Sequence, residues 1–161
     1  MKPILMFAAI LATAFGLPST SFAQSAAGTD MPSSNAAGAA PIPGDNVYKE
    51  FHEEAGIQRI MDDFIIRVTT DPRIKDRFAN ANLVRLKLLL VQQVSYLTGG
   101  PDIYSGRDMK TAHAGMDLKN GDFNALAEDL QLSMDKEGVP FRAQNKLLAK
   151  LAPMEHQIVT K

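Results

Sequence analysis

The sequence predicts an all-α domain, and three observations support this fold class. Apolar residues recur at spacings of three and four over long stretches, which is the period of an amphipathic helix. The longest of these stretches end at glycine or proline, the residues that most often terminate helices. Alternation of apolar and polar residues never lasts long enough to predict a β-strand.

The segment before residue 46 is predicted to lie outside the folded domain. Residues 1–23 combine a charged start, an apolar run from Ile4 to Leu17 and small residues before Ala23, which is the pattern of a secretory signal peptide. The apolar run is too short to cross a bilayer, so we expect cleavage and export to the periplasm, with no membrane insertion of the mature protein. Residues 24–45 are rich in Ala, Gly, Ser and Pro and predict a flexible linker.

The first half of the domain is predicted to form two long helical stretches. The first runs from Val47 to Thr70 in two pieces that meet near Gly56. It ends before Pro72, because the residue that precedes proline is disfavoured in the helical conformation. The second stretch carries an apolar stripe from Leu83 to Leu97 and stops at Gly99-Gly100-Pro101.

The second half is predicted to contain three further helices. Residues 108–116 have room for about two helical turns. Asn120 and Asp122 offer N-caps to the next helix, which Gly138 closes. Pro140 opens the last helix, where its missing N–H costs nothing. The apolar side of that last helix consists of Leu147, Leu148, Leu151, Met154 and Ile158.

Composition and motifs exclude several classes of function. The chain has no cysteine, which rules out disulfides, iron–sulfur clusters and covalent c-type haem attachment. The formal net charge is −1, so no long-range field favours nucleic acid as a partner. Walker loops and the motifs of serine hydrolases and zinc peptidases are missing from the sequence. We therefore assign no catalytic residue.

His113 is the strongest candidate for a ligand among the three histidines. Met109 lies four residues before it and Met116 three after, so one helical face would present an imidazole between two apolar side chains. A flat apolar ligand could lie there, although residue types alone favour a buried, hydrogen-bonded histidine. His52 and His156 have charged neighbours near helix ends, which favours surface or capping roles.

The order and spacing of a larger set of residues resemble the group I truncated haemoglobins. The resemblance covers nearly all of the chain from about Val47 to the C-terminus. It implies a two-over-two helical sandwich around non-covalent haem b, formed by a domain of residues 46–161. The residues that carry it are Asp63-Phe64, Arg67-Val68, Asp71, Phe78, Leu86-Lys87, Gly99-Gly100-Pro101, Tyr104, Gly106, Met109-Lys110, His113-Ala114-Gly115 and Phe123.

The resemblance implies that His113 is the proximal iron ligand, and that Phe78 stacks against the porphyrin. The residues expected to contact the cofactor are Phe78, Leu86, Leu90, Val94, Met109, His113, Met116 and Phe123. The residues expected to line the distal ligand pocket are Phe64, Ile65, Leu86, Leu90 and Gln93. On this view the linker contributes nothing, and removing the residues before Val47 would leave haem affinity unchanged.

The chain departs from the family pattern in two places. The Gly pair usual between the first two helices is replaced by His52-Glu53. On the distal side, where many relatives carry Tyr and Gln, this chain has Ile65, Leu86 and Leu90. Gln93 is either an amide that turns toward the ligand or an exposed surface residue. Without a distal donor, bound oxygen would lose a hydrogen bond of about 1–3 kcal/mol, and oxygen affinity should fall.

Three functions remain open at this level. The first is reversible binding of O2, NO or CO, in oxygen carriage or in nitric oxide removal of the dioxygenase type, with electrons from a donor that the sequence does not identify. The second is a haem-based gas or redox sensor, or a weak peroxidase; an apolar distal pocket disfavours the peroxidase, which needs a distal acid or base. The third is a helical binding module without haem.

Overall fold

The computed structural model describes residues 36–161, and within that range it contains helices and no strand. This confirms the all-α fold class for the described part of the chain. The predicted signal peptide and residues 24–35 of the predicted linker lie outside it. None of the helices in residues 36–161 is both long enough and apolar enough to span a membrane.

The four longest helices pack against one another. The helices are α1 (Asn46–Glu50), α2 (Glu53–Thr70), α3 (Lys75–Phe78), α4 (Leu83–Thr98), α5 (Met109–Ala112), α6 (Asn120–Lys136), α7 (Phe141–Leu151) and α8 (Glu155–Ile158), with a 3-10 turn at Ala152–Met154 before α8. Helix α2 packs against α4 and α6, while α7 packs against the same two helices from the other end. The short helices α3 and α5 flank this core.

The core is built from the apolar stripes that define the long helices. Each stripe contributes side chains that are almost fully buried, and burying one stabilises the fold by about 1.5–3 kcal/mol relative to leaving it exposed. Among the most deeply buried are Ile57, Ile60 and Val68 of α2, Leu97 of α4, Met134 of α6 and Leu147 of α7. Met109 of the short helix α5 joins this core, and α5 packs against α8.

The first corner of the domain differs from the sequence-based expectation. The break lies at Phe51-His52 and not near Gly56, which is inside α2. His52 and Glu53 both have φ of +59°, so the chain keeps a left-handed backbone at the positions where the resemblance expects glycine. The side chain of His52 lies 3.3 Å from a carboxylate oxygen of Glu137 at the end of α6. This side-chain contact ties the corner to the end of α6.

Helix α4 begins and ends as predicted. Asn82 precedes it, and the side-chain oxygen of Asn82 accepts a hydrogen bond from the backbone N–H of Arg85 at 3.0 Å. Gly99 ends it with φ of +90°. A Cβ at Gly99 would lie 1.9 Å from the backbone oxygen of Gly44, so the turn requires glycine for close approach as well as for its backbone angle.

Helix α6 begins at Asn120, after the N-cap residue Lys119, and Asp122 lies in its first turn. The carboxylate of Asp122 reaches back and accepts a hydrogen bond from the backbone N–H of Lys119 at 3.0 Å. Gly138, with φ of +77°, follows the helix, and Pro140 directly precedes α7. Both predicted ends of α6 and the predicted start of the last helix are confirmed within a residue or two. The expectation that this last helix continues to Ile158 is wrong, because α7 ends at Leu151 and a 3-10 turn separates it from α8.

Asp63 ties α2 to α6. Its carboxylate accepts hydrogen bonds from the Lys136 ammonium, from Arg67 at 2.6 Å and from the Ser133 hydroxyl at 3.0 Å. Burial acts to raise the pKa of Asp63, but these three donors outweigh it and hold the pKa below its usual value of 3.8. The carboxylate is therefore charged in the folded protein at neutral pH.

Residues 36–45, which we call the strap, pack against the helical core. Ala37 is 2% exposed, and Ile42 donates its backbone N–H to the carbonyl of Leu97 at 2.9 Å. The expectation that the linker has no surface to contribute is wrong for these ten residues. Composition suggested a free tether because large apolar residues are scarce there, whereas the contacts depend on small residues and on backbone hydrogen bonds.

Candidate functional site

The imidazole of His113 has a defined orientation at the end of α5. Its Nδ1 lies 2.8 Å from the carbonyl oxygen of Met109, four residues earlier. A carbonyl oxygen can only accept, so Nδ1 is the nitrogen that carries the proton in this contact. In the neutral ring the lone pair is then on Nε2. The half-buried ring thus has one nitrogen held by the chain and one with a lone pair for a metal.

Helix α5 is a single turn whose start is well fixed. Asp108 caps it by accepting the backbone N–H of Thr111 at 2.9 Å, and hydrogen bonds with Thr111 hold the pKa of Asp108 below its usual range. Met109 is 4% exposed and anchors the turn in the core. We expected about two turns over residues 108–116, but the helix stops at Ala112 and His113 follows as its C-cap. One turn is enough to place the Met109 carbonyl against the imidazole.

The loop that leads into α5 is closed by a tyrosine. Tyr104 is 8% exposed, and its hydroxyl donates to the carbonyl of Arg107 at 3.1 Å. Burial raises the pKa of Tyr104, which keeps the hydroxyl protonated and able to donate. A Cβ at Gly106 would lie 2.1 Å from that hydroxyl oxygen, so glycine is required where the ring crosses the chain.

Most side chains expected to contact the cofactor are only partly covered by the rest of the chain. Val94 and Met109 are buried, at 3% and 4% exposure. The partly covered ones are Phe78, Leu86, Leu90, His113 and Phe123. Apolar side chains left partly open on α3, α4 and α6, with an oriented imidazole at the end of α5, are what a flat apolar macrocycle with a central metal needs. The residues present therefore fit haem.

Met116 departs from the expected arrangement. It is 46% exposed and lies beyond the end of α5, where the chain turns at Gly115 with φ of +75°. The expectation that Met116 shares a helical face with His113 is wrong, because the helix ends before His113. Its contact with the cofactor stays a prediction.

Four of the five residues expected on the distal side are apolar side chains on α2 and α4. Phe64 is 2% exposed, and Ile65, Leu86 and Leu90 are partly buried. Their place in a ligand pocket stays a prediction that rests on the resemblance. The aliphatic side chains of Ile65, Leu86 and Leu90 would offer a polar ligand no hydrogen-bond donor.

Gln93 differs from both interpretations of the sequence. It is 7% exposed, and its Nε2 donates to the carbonyl of Ala37 in the strap at 2.9 Å. The same nitrogen lies 3.5 Å from the sulfur of Met109. The amide is therefore neither exposed nor free to turn toward a distal ligand, and it contacts the helix that carries the imidazole. Sequence reasoning missed this because its partner lies in a segment predicted to be a tether.

The other two histidines have no such arrangement. His52 is exposed at the start of α2 beside Glu137, and His156 is exposed on α8. In residues 36–161 no group of three or more His, Cys, Asp or Glu side chains lies close enough together to hold a metal ion. Among the histidines, His113 is the one that combines partial burial with an oriented ring.

Comparison with known protein sequences gives a consistent set of relatives. Residues 46–160 match the sequence family described as bacterial-like globin. Group 1 truncated hemoglobin GlbN of Mycolicibacterium paratuberculosis is 27% identical over 115 residues, which are 71% of this chain and 85% of the relative. Group 1 truncated hemoglobin GlbN of Synechocystis is 32% identical over 98 residues, covering 58% of this chain and 79% of the relative.

Solved structures show the same architecture. The truncated hemoglobin of Tetrahymena pyriformis in its Fe(III) form superposes with a TM-score of 0.68 at 26% identity, covering 71% of this chain and 98% of that one. The 2/2 hemoglobin of a Synechococcus species, described with covalently attached heme, gives 0.63 at 23% identity and covers 69% and 94% of the two chains. At that identity the second likeness shows the fold alone. The predicted two-over-two helical sandwich is confirmed.

Proposed function

This chain belongs to the bacterial-like globin family, and on that premise we propose that it binds haem b non-covalently and uses it to bind a diatomic gas reversibly. Family membership implies haem-based ligand binding, and the finer assignment of cofactor type and gas is our proposal. The observation that supports it most is the hydrogen bond from Nδ1 of His113 to the carbonyl of Met109 at 2.8 Å. That bond leaves Nε2 as the one nitrogen of this ring able to bind iron.

The chain's own residues would do two things for the cofactor. The carbonyl of Met109 holds the imidazole in one tautomer and one orientation. Partly open apolar side chains on α3, α4 and α6 would cover the macrocycle, which stabilises binding by about 25 cal/mol for each Å² of apolar surface removed from water. When bound, haem supplies an iron with a coordination position for a gas. The missing cysteines exclude a thioether attachment, and we propose that the cofactor is held without a covalent bond.

The apolar side chains of Ile65, Leu86 and Leu90 would keep water away from the gas and offer it no hydrogen bond. We therefore propose a globin that binds O2 or NO with little preference for the more polar ligand. Oxygen carriage, or removal of nitric oxide with electrons from an external donor, is the form of this function that we propose first. The same apolar lining favours a gas sensor over a peroxidase as the second candidate, since peroxide chemistry needs a distal acid or base.

The predicted signal peptide assigns the protein to the periplasm, and we propose that it is exported before it acts. Expression of the full chain in a Gram-negative host tests this directly. Intact mass of the protein in the periplasmic fraction should correspond to a chain that begins at Gln24. Full-length protein retained with the cytoplasm would contradict export.

Hemin titration with a matched pair of histidine variants tests the proposed function. The wild-type protein should develop a Soret band that saturates at one hemin per chain. In His113→Gly the affinity should fall by at least about a hundredfold, because the iron loses its protein ligand, and added imidazole should restore the band. His156→Gly, at an exposed position on α8, should titrate like the wild type. A His113→Gly protein that binds hemin as tightly as the wild type would contradict the assignment.

A further inference from the structure

The strap reaches the part of the structure that carries the imidazole. Gln93, on α4, donates its buried Nε2 to the carbonyl of Ala37 at 2.9 Å. The same Nε2 lies 3.5 Å from the sulfur of Met109 and 3.9 Å from the sulfur of Met154. One buried amide thus contacts the strap, helix α5 and the 3-10 turn that precedes α8.

Gly38 packs closely against the same cluster, which leaves no space for a larger side chain. A Cβ added there would lie 2.6 Å from the end of the Met154 side chain and 3.1 Å from Cγ of Met109. Met109 and Met154 are 4% and 2% exposed, so neither side chain has open solvent to move into. The side chain of Met109 is held by the strap, by α4 and by the C-terminal turn together.

Met109 is also the residue whose carbonyl orients the iron ligand. Its backbone oxygen accepts from the imidazole Nδ1 of His113 at 2.8 Å and from the backbone N–H of the same residue at 3.2 Å. Any freedom of Met109 therefore becomes freedom of the imidazole ring. The contact chain runs from Ala37 through Gln93 and Met109 to His113.

We propose that the strap helps to form the haem site. Gly38 of the strap and Gln93 of α4 act as positioning residues for His113. They hold Met109 in place, and the Met109 carbonyl fixes the angle of the imidazole that binds iron. This inference rests on the proposed haem function and deepens it. The family match begins at residue 46, so the strap lies outside the part of the chain that is similar to other bacterial-like globins.

The decisive variant is Gln93→Met in the full mature chain. Methionine keeps the length and volume of the side chain but cannot donate to the Ala37 carbonyl, which is left buried without its partner. The matched control is Gln58→Met on α2, which loses an exposed hydrogen bond to Glu54 and touches none of these residues. Gly38→Ala and Gly138→Ala form a second pair, since both glycines have positive φ but a Cβ at Gly138 would meet nothing within 4 Å.

Two readouts report on the ring and not on overall stability. Resonance Raman of the ferrous protein gives the stretching frequency of the iron–histidine bond, which should fall and broaden in Gln93→Met and Gly38→Ala. Haem transfer to an acceptor apoprotein should be about five- to tenfold faster in Gln93→Met, as expected for loss of one buried hydrogen bond. It should also be faster in Gly38→Ala, where the added Cβ displaces the methionine side chains. Both controls should match the wild type. Unchanged frequency and transfer rate in Gln93→Met would overturn the proposal.

Hydrogen exchange in the haem-free protein separates this proposal from the haem assignment. The backbone N–H groups of Ala112 and His113 bond to Asp108 and Met109 within α5, so their exchange rates report how firmly this turn is held. Exchange should be faster in Gln93→Met than in Gln58→Met, even if the wild type fails to bind hemin. Equal exchange rates in the two variants would overturn the proposed role of the strap. A wild type that never binds hemin would instead overturn the proposed function. If Gly38→Ala does not fold, as judged by circular dichroism, the glutamine pair decides alone.

Discussion

The two sides of the proposed haem site are built from different kinds of contact. On the proximal side, directed hydrogen bonds connect Ala37, Gln93, Met109 and His113, and the first three of these residues are buried. On the distal side, the resemblance assigns Ile65, Leu86 and Leu90, which are partly buried and whose aliphatic side chains cannot form hydrogen bonds. In the proposed site, directional interactions would hold the metal ligand, and the gas would lie in an apolar environment.

This difference indicates which properties each side controls. The orientation of the imidazole influences how tightly haem is held and how easily the iron accepts a sixth ligand. Polar groups near the gas would decide which gas is retained, because a hydrogen bond favours the more polar ligand. The present chain should therefore retain haem firmly and discriminate weakly among gases.

The largest effect is expected where the strap meets the end of α4. Gly99→Ala places a Cβ 1.9 Å from the backbone oxygen of Gly44 at a φ of +90°. Gly138→Ala has a φ of +77° but open space around its Cβ, so it isolates the backbone strain. We expect losses in unfolding free energy of about 3 kcal/mol for Gly99→Ala and about 1 kcal/mol for Gly138→Ala. Urea denaturation followed by circular dichroism measures both, and equal losses would show that the strap does not press on this turn.

An intermediate effect is expected from making the distal side polar. Leu90→Gln places an amide donor where the resemblance puts the ligand pocket, so oxygen release should slow by about five- to a hundredfold. Leu88→Gln is the control, since Leu88 is 53% exposed on the same helix. Stopped-flow displacement of oxygen by CO gives both off-rates. An unchanged rate in Leu90→Gln would argue that another polar group already serves the ligand, and that the distal side is not apolar.

The smallest effect is expected for Asp63, whose hydrogen-bond partners belong to neither the proximal nor the distal side of the proposed haem site. Its folded pKa lies below 3.8, so its ion pairs stabilise the protein above that pH and the contribution is lost as the pH falls through the folded pKa. Asp63→Asn should therefore lower the unfolding free energy by about 1 kcal/mol at neutral pH. The expected loss is small because Lys136 is exposed and solvent screens its ion pair with Asp63. The difference from wild type should shrink as unfolding is measured at pH values progressively below 3.8. A difference that does not change with pH would show that the charge of Asp63 is irrelevant.

Sequence reasoning predicted the features that depend on local pattern. The apolar stripe of α4, its end at Gly99 and the start of α7 after Pro140 follow from helical periodicity and from residues that break helices. His113 was singled out by its spacing and by the family resemblance. The helix features require only residues that lie close together in the chain, whereas the ligand role of His113 stays a prediction that rests on the resemblance.

The missed features depend on partners distant in sequence or on strained backbone. The amide of Gln93 is bonded to a carbonyl 56 residues away, which no periodic pattern could reveal. The corner at His52-Glu53 adopts positive φ without glycine, so the usual signal for such a turn is missing. Helix α5 ends at Ala112, and the chain turns at Gly115 with φ of +75°. For Gln93, a tertiary contact decides the orientation that the helical pattern left open.

The visible absorption spectrum of the reduced protein, recorded with and without CO, tests the central claim most directly. An iron held by the imidazole of His113, with a position left open for a gas, predicts a Soret band that moves when CO is added. A protein that stays colourless after reconstitution with hemin, or a Soret band that CO does not move, would contradict the account.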